Sequence, residues 1–592
     1  MKLRKILAVV LALAMVCMTF PACGDDSTSS TTTSSGTTST ETSSGAGDDT
    51  SSTTDDGGSA ATGEVTLFTR KDVDPSKNLN VRAGMEPTGL NTMLSTYAIE
   101  FNLIGHLYET LYVLDENDVP QPGAAESVDV SDDGTVYTFH LRDDGVWTNG
   151  DPVTANDFAF AWQQVLTPDV AADYAYMLYF IKNAEAYLNG ECEWEDVGVK
   201  VVDDSTLEVT LEKAIPYATY LFTFGTLAPV NQKFYEAVGA DSYNTEAEYF
   251  CTNGPFAMVE WSHDSQMVIQ KNDAWHGAGD IQVEQITYRI ITDAQAALTS
   301  YMSGELDYTD LTSGQLMQQA KDAGYEVTSM TPGSSFYMMV NCKDQYLSNV
   351  NLRRALALGF DKQAMIDAVY QNDNQPMTSF TPPSVFGNNN SSFQEALNAE
   401  YGDLAPGTGD VEAAKGYLET ALSELGCTVE DLSAHITIDC GDDKTSQTQA
   451  AFYQEQWRQN LGIEVTINPM ITKQGATNRQ NGNYCLSITG WSPDYNDPMT
   501  FLDLWVTDGG NNDSGWSSEE YDSLIAQAGD GHEDLEARQQ AFYDCEKIIF
   551  DEYPIIPCYW RSDAYTYNAD KILGGLRLTN FQTRYTYVEL AA

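Results

Sequence analysis

Basic residues are scarce in this sequence, and so are cysteines. Only 30 of the 592 residues are Lys or Arg, against 87 Asp or Glu, which gives a formal net charge of −57. A field of that sign repels polyanions, so the composition excludes nucleic-acid binding through phosphate contacts and adhesion to anionic lipid through a basic patch. The 10 cysteines are too few for a disulfide scaffold and no pair has CxxC spacing, which argues against a zinc ribbon or a thioredoxin-type motif.

Local catalytic motifs are missing as well. The sequence has no GxSxG elbow, no HExxH pair and no GxxxxGK[ST] loop, and its six histidines form no i, i+4 pair. A segment that begins like a calcium loop at Asp129 has His140 at its twelfth position, where such a loop needs a bidentate glutamate. We therefore expect no enzyme activity, no cofactor and no metal site. A hydrolase with carboxylates far apart in sequence is the alternative.

The N-terminus carries an apolar run that looks like a sorting signal. Three basic residues precede residues 6–18, which are almost entirely apolar. This run suits the core of a signal peptide and is too short to span a bilayer. The end of the run resembles a bacterial lipobox, although Phe20 stands where that motif has an aliphatic residue. We predict that residues 1–22 are a lipoprotein signal peptide and that the Cys23 thiol is acylated; an ordinary secretory signal is the alternative.

The segment after the lipobox is rich in small hydroxyl residues. Residues 24–63 contain 23 Ser or Thr, seven acidic residues and no Lys or Arg. Such a composition cannot bury a core and favours disorder. Forty residues of flexible coil reach roughly 35 Å. We predict that residues 23–77 are a lipidated, disordered tether holding the protein on the extracytoplasmic face of the cell membrane; a disposable tail is the alternative.

From about residue 78 the composition becomes that of a folded protein, with strands and helices interleaved. Alternating apolar residues predict strands over 136–141 and 207–211, and Thr154 is typical of a helix N-cap. Interleaving over some 500 residues predicts an α/β architecture. Apolar residues at helical spacing predict further helices over residues 352–370, 411–425, 445–461 and 517–526.

Several blocks of sequence resemble a known family. Residues 141–158, LRDDGVWTNGDPVTANDF, are similar to the signature of extracellular solute-binding proteins of the oligopeptide transporter type. The order and spacing of the blocks hold from about residue 79 to the C-terminus. The other blocks that match the family are residues 107–111 with 122–127, 252–256, 303–307, 349–356 and 490–498.

The resemblance implies a two-lobed, periplasmic-binding-protein-like fold that closes about a two-strand hinge. Its lobes are discontinuous in sequence, and an extra subdomain accompanies the first lobe. The implied boundaries are 78–107, 229–333 and 558–592 for lobe I, 108–228 for the extra subdomain and 334–557 for lobe II.

The function implied is that of a substrate-binding subunit of an ABC importer. Such a protein captures oligopeptides between its lobes, docks on the permease and performs no chemistry; we expect a monomer. Within the same fold, an oligosaccharide, a nickel chelate or an opine are alternative ligands. A secreted hydrolase or a surface adhesin on the same anchor are alternatives of another class.

The resemblance also implies a binding site. In relatives the peptide backbone lies between segments that match Gly490-Trp491-Ser492 and Ser95-Thr96-Tyr97-Ala98, and it is held by β-strand addition. The ligand's α-ammonium is held by an aspartate that aligns with Asp494, since an ammonium in a dry cleft must be paired. A turn aspartate is the alternative for Asp494, and a core aromatic is the alternative for Trp491.

The carboxylate end of the ligand is less defined by the resemblance. Arg479 aligns with an arginine near the ligand tail, with a surface arginine as the alternative. Two other basic residues of the relatives are replaced by Ile488 and Tyr370. This leaves longer peptides, or a ligand without a carboxylate, as possibilities.

Two positions that form a disulfide in some relatives are Ser334 and Ser492 here. A bridge between Cys427 and Cys440 is one expectation for the remaining cysteines. Free buried thiols are the alternative.

Overall fold

A computed structural model describes residues 68–388, 391–530, 534–579 and 583–591. The predicted signal peptide, Cys23 and most of the predicted tether lie outside the described residues. Residues 68–77, the end of the predicted tether, lie against the body of the protein: the Lys71 N–H donates to Oε1 of Gln270 (2.8 Å), and Arg70 pairs with Glu260 (2.6 Å). Within the described part of the chain, no helix combines the length and the apolar character that crossing a bilayer requires.

The described residues form strands and helices in alternation. The strands are β1 (Asn78–Ala83), β2 (Tyr112–Leu114), β3 (Pro120–Pro122), β4 (Ala125–Val130), β5 (Val136–Leu141), β6 (Val199–Asp203), β7 (Thr206–Thr210), β8 (Phe256–Ser262), β9 (Gln266–Lys271), β10 (Gln285–Ile290), β11 (Tyr308–Asp310), β12 (Thr328–Ser329), β13 (Ser334–Val340), β14 (Gln375–Pro376), β15 (Thr437–Gly441), β16 (Thr466–Met470), β17 (Leu486–Trp491), β18 (Ile555–Arg561), β19 (Ala564–Tyr567), β20 (Ile572–Gly574), β21 (Arg577–Leu578), β22 (Thr583–Arg584) and β23 (Glu589–Leu590). The α-helices are α1 (Ala98–Leu107), α2 (Ala155–Val165), α3 (Ala184–Leu188), α4 (Ala218–Leu221), α5 (Gln232–Val238), α6 (Ala294–Met302), α7 (Gly314–Asp322), α8 (Val350–Leu358), α9 (Lys362–Met365), α10 (Phe393–Tyr401), α11 (Val411–Leu425), α12 (Val429–His435), α13 (Lys444–Leu461), α14 (Thr472–Gln480), α15 (Met499–Leu502), α16 (Glu519–Asp530) and α17 (Leu535–Glu552).

The first sheet combines segments from both ends of the described chain. Its strand order is β12-β19-β11-β1-β10-β9-β8, and β1 runs parallel to both β10 and β11. Leu79 and Val81 of β1 have no exposed surface, because this strand lies in the interior of the sheet. Strand β19, near the end of the chain, pairs with β11 and β12, so the chain returns to the first sheet after forming the second.

The second sheet has the order β14-β18-β13-β17-β15-β16 and its own apolar core. The core includes Met338 of β13, Phe360 and Trp457, all fully buried. Strand β17 is antiparallel to β13, and β15 runs parallel to β16 and β17. Helices such as α8 and α13 contribute Leu356 and Trp457 to this core, which makes the second sheet an α/β unit.

A third sheet, β4-β5-β7-β6, is antiparallel throughout. Strands β5 and β7 correspond to the two strands predicted from alternating residues. Beside them α2 begins where Thr154 predicted a helix start: Oδ2 of Asp157 accepts from the Thr154 N–H (2.8 Å) and from its hydroxyl (3.1 Å). The Asp157 carboxylate thus fixes the residue that precedes the first turn of the helix.

The prediction of one continuous helix over 352–370 is wrong, because the chain forms two separate helices there. Helix α8 ends at Leu358, and a new helix, α9, starts after Asp361, whose carboxylate accepts from the Ala364 N–H (2.9 Å). The apolar spacing continues across this break, because both helices face the same core, and spacing alone therefore hides it. The predicted helix over 411–425 matches α11 at both ends, where Asp410 caps the N-terminus and Gly426 has a positive φ of 64°.

Two short connections, residues 330–333 and 562–563, join the first sheet to the second. They are bonded to each other: the Met330 N–H donates to the Asp563 carbonyl (2.8 Å), and the Ser562 hydroxyl donates to the Met330 carbonyl (2.6 Å). A pair of adjacent crossings is what a hinge requires. The lobe boundaries stay predictions; β18, which spans the predicted 557/558 boundary, pairs in the second sheet along its length.

The eight cysteines in the described residues are free thiols, so the expected bridge between Cys427 and Cys440 is wrong. Five of the eight are buried, including Cys440, where a thiol behaves as a small apolar side chain. Ser334 and Ser492 face each other across β13 and β17 with their hydroxyl oxygens 2.8 Å apart. A hydrogen bond thus occupies the place where some relatives have a disulfide.

Candidate functional site

A large cleft lies between the first sheet and the second sheet. Its volume is about 950 Å³, and its walls include Tyr174 and residues from 96–122, 220–228, 308–334, 490–496 and 561–587. The hinge contributes Met330 and Asp563 to the lining. The cleft is therefore bounded by both sheets and by the segments that connect them.

One wall of the cleft offers an unpaired strand edge. Strand β17 pairs with β13 over its whole length, as far as Trp491, which is opposite Ser335. On its other side β17 pairs with β15 only at Leu486 and Ser487. Within the described residues, positions 488–491 therefore have a strand partner on one side alone. An extended chain can add to such an edge through main-chain hydrogen bonds.

Gly490 and Trp491 present this edge to the cleft, and Ser492 follows them. A side chain at Gly490 would collide with the Phe336 ring, which lies 2.9 Å from the place of a Cβ. The Trp491 ring is half-buried, and its Nε1 donor has no hydrogen-bond partner in the described structure. Trp491 lines the cleft and also packs against the core of the second sheet; its contact with a ligand stays a prediction.

The segment before α1 forms part of the opposite wall. Thr96 and Ala98 line the cleft, Ser95 is buried with an unpartnered hydroxyl, and Tyr97 is 49% exposed. Sequence reasoning missed what holds this segment in place, the buried carboxylate of Glu100.

Glu100 binds two stretches of backbone at once. Its Oε2 accepts from the N–H groups of Thr96 (3.0 Å) and Tyr97 (3.2 Å). Its Oε1 accepts from the N–H (2.9 Å) and the hydroxyl (2.7 Å) of Thr88. Four donors on one buried carboxylate fix the conformation of the wall. A Glu three residues after a helix start was the available signal.

Asp494 lies on the cleft wall with its carboxylate nearly unpartnered. The Tyr176 hydroxyl donates to Oδ2 at the long distance of 3.4 Å, and the Asp494 N–H donates to the Thr500 hydroxyl (3.2 Å). No Lys or Arg pairs with it among the described residues. Burial raises the pKa of Asp494 to about 6, and the Tyr176 bond opposes that rise only in part. Asp494 is partly exposed and lines the cleft.

Asp497, three residues later, has the opposite environment. Arg538 of α17 donates to both of its carboxylate oxygens, at 2.8 and 2.9 Å. Asp497 also accepts from the Met499 N–H (2.9 Å). This buried, fully bonded pair is structural, whereas the charge of Asp494 has no partner.

Arg479 does not line the cleft. It lies at the end of α14, and its Nη1 donates to the Ser487 hydroxyl at 3.3 Å. This position does not support a contact between Arg479 and the ligand's carboxylate end, and that role stays a prediction. Tyr370, at one of the two positions where the resemblance implied a basic residue in relatives, is hydrogen-bonded to Gln449 and Tyr559.

Basic groups reach the cleft from the C-terminal region instead, a feature that sequence reasoning missed. Arg561, Arg577 and Arg584 line the cleft. Burial lowers the pKa of Arg584 to about 10, and no carboxylate lies within 4 Å of it among the described residues. A side chain at Gly105 would collide with the Arg584 guanidinium at 2.0 Å, so α1 leaves room for it. No local pattern marks these residues, because only tertiary folding brings them to the cleft.

Contacts beside the cleft join the region of the third sheet to the second lobe. Tyr217 stacks on Tyr495 with ring centroids 5.0 Å apart. Lys213 pairs with Asp530 at 2.8 Å, and the Arg538 guanidinium lies 5.6 Å from the Tyr217 ring centroid. The cleft can therefore change shape only if these contacts separate.

One group of potential metal ligands occurs among the described residues, away from the cleft lining: Asp344, His435 and Cys485. The His435 Nε2 lies 2.6 Å from Asp344, and its Nδ1 lies 3.3 Å from the Gln345 amide nitrogen. Both ring nitrogens thus have hydrogen-bond partners. These hydrogen bonds are sufficient to explain why the three side chains lie close together.

Comparisons with known proteins agree with this architecture. The family model described as "Bacterial extracellular solute-binding proteins, family 5 Middle" matches residues 119–513. The oligopeptide-binding protein OppA of Bacillus subtilis is 32% identical over 503 residues, which is 84% of this chain and 90% of that protein. The chain belongs to the family 5 extracellular solute-binding proteins of bacteria.

Solved structures of this family have the same fold. The substrate-binding domain of an oligopeptide ABC transporter from Bacillus anthracis is 30% identical, with a TM-score of 0.74, over 88% of this chain and 100% of that one. OppA of Listeria monocytogenes bound to peptide is 31% identical, with a TM-score of 0.72 and the same coverage. The predicted family and the predicted two-lobed α/β fold are confirmed.

Proposed function

We propose that this solute-binding protein captures peptides in its cleft and delivers them to the permease of an ABC importer. The observation that carries the proposal is the free edge of β17 at residues 488–491, next to the unpaired carboxylate of Asp494. Several relatives are named as oligopeptide- or dipeptide-binding proteins, which agrees with it.

The chemistry of the two features suits a peptide. A strand edge bonds the main chain and ignores side chains, so it holds peptides of many sequences. The carboxylate then neutralises the peptide's α-ammonium, which needs a partner once it leaves water. Arg577 and Arg584 give the same cleft positive groups that suit a carboxylate. A binding role without chemistry fits this arrangement.

The location we propose follows from the N-terminal sequence. An acylated Cys23 would hold the protein at the extracytoplasmic face of the cell membrane, and the Ser/Thr-rich tether would let the lobes reach the permease. Metabolic labelling with a fatty acid tests the anchor: Cys23→Ser should abolish labelling and release the protein from the membrane.

A sugar ligand is a second candidate, because aromatic rings line part of the cleft. Tyr174 stacks on Phe224 at 5.6 Å, and Phe101 lies 4.7 Å from Phe224. Stacked rings hold sugars, but they hold apolar side chains equally well. The unpaired Asp494 favours the peptide.

Titration calorimetry with a peptide and its N-acetylated form tests the proposal. We expect acetylation to weaken binding to the wild type by about 2–5 kcal/mol, the usual cost of losing one partner of a buried charge pair. In Asp494→Asn the free and acetylated peptides should bind with nearly equal affinity. Equal binding of both forms by the wild type would reject the role of Asp494. Mass spectrometry of molecules that copurify with the protein supplies the ligand sequences.

A further inference from the structure

A second cavity lies directly beside Asp494. Its volume is about 290 Å³, and it shares Trp491, Asp494 and Tyr495 with the main cleft. A water needs roughly 10–15 Å³ of such space, so the cavity has room for a long side chain. We call it the side pocket. Its remaining walls come from residues 176–180 and 212–221 on one side and from 500–511 on the other.

The side pocket contains a second carboxylate without a cationic partner, that of Asp503. This side chain is exposed to the space of the pocket and lines its wall. Its hydrogen bonding is limited to its own backbone N–H, and no Lys or Arg among the described residues pairs with it. Burial raises the pKa of Asp503 to about 7, and the nearby charges of Asp494 and Asp497 add to the rise.

The net charge of the pocket lining is negative. Asp494, Asp503 and Glu212 line the pocket, and Lys213 is the lining residue of opposite charge. Lys213 is already paired with Asp530, which lies outside the lining (2.8 Å). Two neighbouring unpaired carboxylates repel each other, and a cation placed between or beside them removes that cost.

The rest of the lining suits the stem of a long cationic side chain. Lysine and arginine bury their methylene groups against apolar surface while the charged end seeks a partner. Aromatic faces attract such a cation in addition. The aromatic residues of the lining are Tyr176, Tyr179, Phe180, Tyr217, Trp491 and Tyr495.

The geometry points to a preference for peptides whose first residue is lysine or arginine, with that side chain in the side pocket and its cation against Asp503. The inference rests on the proposed function, because it places the α-ammonium at Asp494. The first side chain leaves the main chain next to that ammonium. It is therefore the side chain nearest to a pocket that shares Asp494 with the cleft.

The occupied pocket would also favour the closed state. One side of its wall belongs to the region of the third sheet, including Tyr217, and the other to the second lobe, including Tyr495 and Asp503. A side chain that fills the pocket contacts both. It therefore adds contacts that exist only when the two regions are together.

A pair of peptides that differ in one charge tests the inference. Calorimetry on the full chain should compare Lys-Ala-Ala-Ala with norleucine-Ala-Ala-Ala, because norleucine has the lysine stem without the ammonium. We expect the lysine peptide to bind at least 10-fold more tightly. Asp503→Asn should reduce this ratio to about 3-fold or less. The exposed Asp551→Asn makes the same change in net charge away from the cleft and should leave the ratio unchanged.

The outcomes separate the two proposals. If the wild type binds both peptides with equal affinity, the preference is overturned while peptide capture stands, and this result needs no variant. If Asp503→Asn keeps the full ratio, the assignment of the pocket is overturned. If neither peptide nor any copurified peptide binds, the proposed function itself is wrong.

Discussion

Tyr217 and Tyr495 stack face to face, with ring centroids 5.0 Å apart and ring planes 8° from parallel. Tyr217 precedes α4, in the region of the third sheet, and Tyr495 follows β17 in the second lobe. The stack therefore joins the two sides of the cleft at the edge of the side pocket. Opening of the cleft must separate these rings.

The first prediction concerns this stack. Tyr217→Ala should weaken peptide binding about 3- to 10-fold and speed ligand release, since an aromatic pair contributes about 0.5–1.5 kcal/mol beyond the area it buries. Stopped-flow fluorescence and calorimetry measure the two effects. Tyr187→Ala removes a ring from a pair with Trp194 in the same region and is the control. An unchanged release rate in Tyr217→Ala would show that the stack does not hold the closed state.

The second prediction concerns the cost of the unpaired charge at Asp494. Its pKa is raised to about 6 in the folded protein by burial, from an ordinary value of 3.8. The folded state therefore binds the proton more tightly than the unfolded state. The free energy of unfolding should fall as pH rises from about 4 to about 6, and this loss should persist at higher pH.

Asp494→Asn removes that cost. The ligand-free variant should be more stable than ligand-free wild type by about 1–3 kcal/mol at pH 7, at about 1.4 kcal/mol per pKa unit. The difference should vanish below pH 4. Urea unfolding at several pH values measures it. A variant less stable than wild type at pH 7 would mean that Asp494 has a structural partner.

The third prediction concerns the pH dependence of binding. An ionised Asp494 attracts the peptide's ammonium, so affinity should fall as pH drops below about 6, by up to about 10-fold per pH unit. The same titration on Asp494→Asn should show little change between pH 5 and 7 for a peptide with a neutral first residue. The titratable groups that face Asp494 and could add to the profile are Tyr174, Tyr176, Glu212, Lys213, Tyr495 and Asp503.

The fourth prediction concerns Glu100, which touches no part of the cleft edge described for β17. Glu100→Ala should lower the free energy of unfolding by about 1–3 kcal/mol, because the part-buried N–H groups of Thr88, Thr96 and Tyr97 lose their acceptor. Peptide affinity should fall with it, since the wall at residues 95–98 loses its shape. The exposed Glu395→Ala is the control and should change stability by less than about 0.5 kcal/mol. If a folded Glu100→Ala protein bound peptide with unchanged affinity, the wall at residues 95–98 would not contribute to binding.

Local patterns in the sequence were sufficient for many elements. Helix α11 was predicted over residues 411–425, and the structure shows that Asp410 and Gly426 cap its two ends. Strand β5 was predicted from alternation. The break between α8 and α9 was missed because apolar spacing continues across it. Asp494, Gly490 and Trp491 were proposed as site residues because residues 490–498 resemble a block of the family.

The sequence by itself determined the family, the α/β class and the candidate carboxylate. Only the tertiary structure decided which charges are free. Asp497 is neutralised by Arg538 from a distant helix, whereas Asp494 and Asp503 have no such partner. Arg479 bonds to Ser487 away from the cleft, while Arg584 arrives from the C-terminal region. Local patterns reflect interactions between neighbours along the chain, but the pairing of a charge depends on groups that folding brings together from far apart.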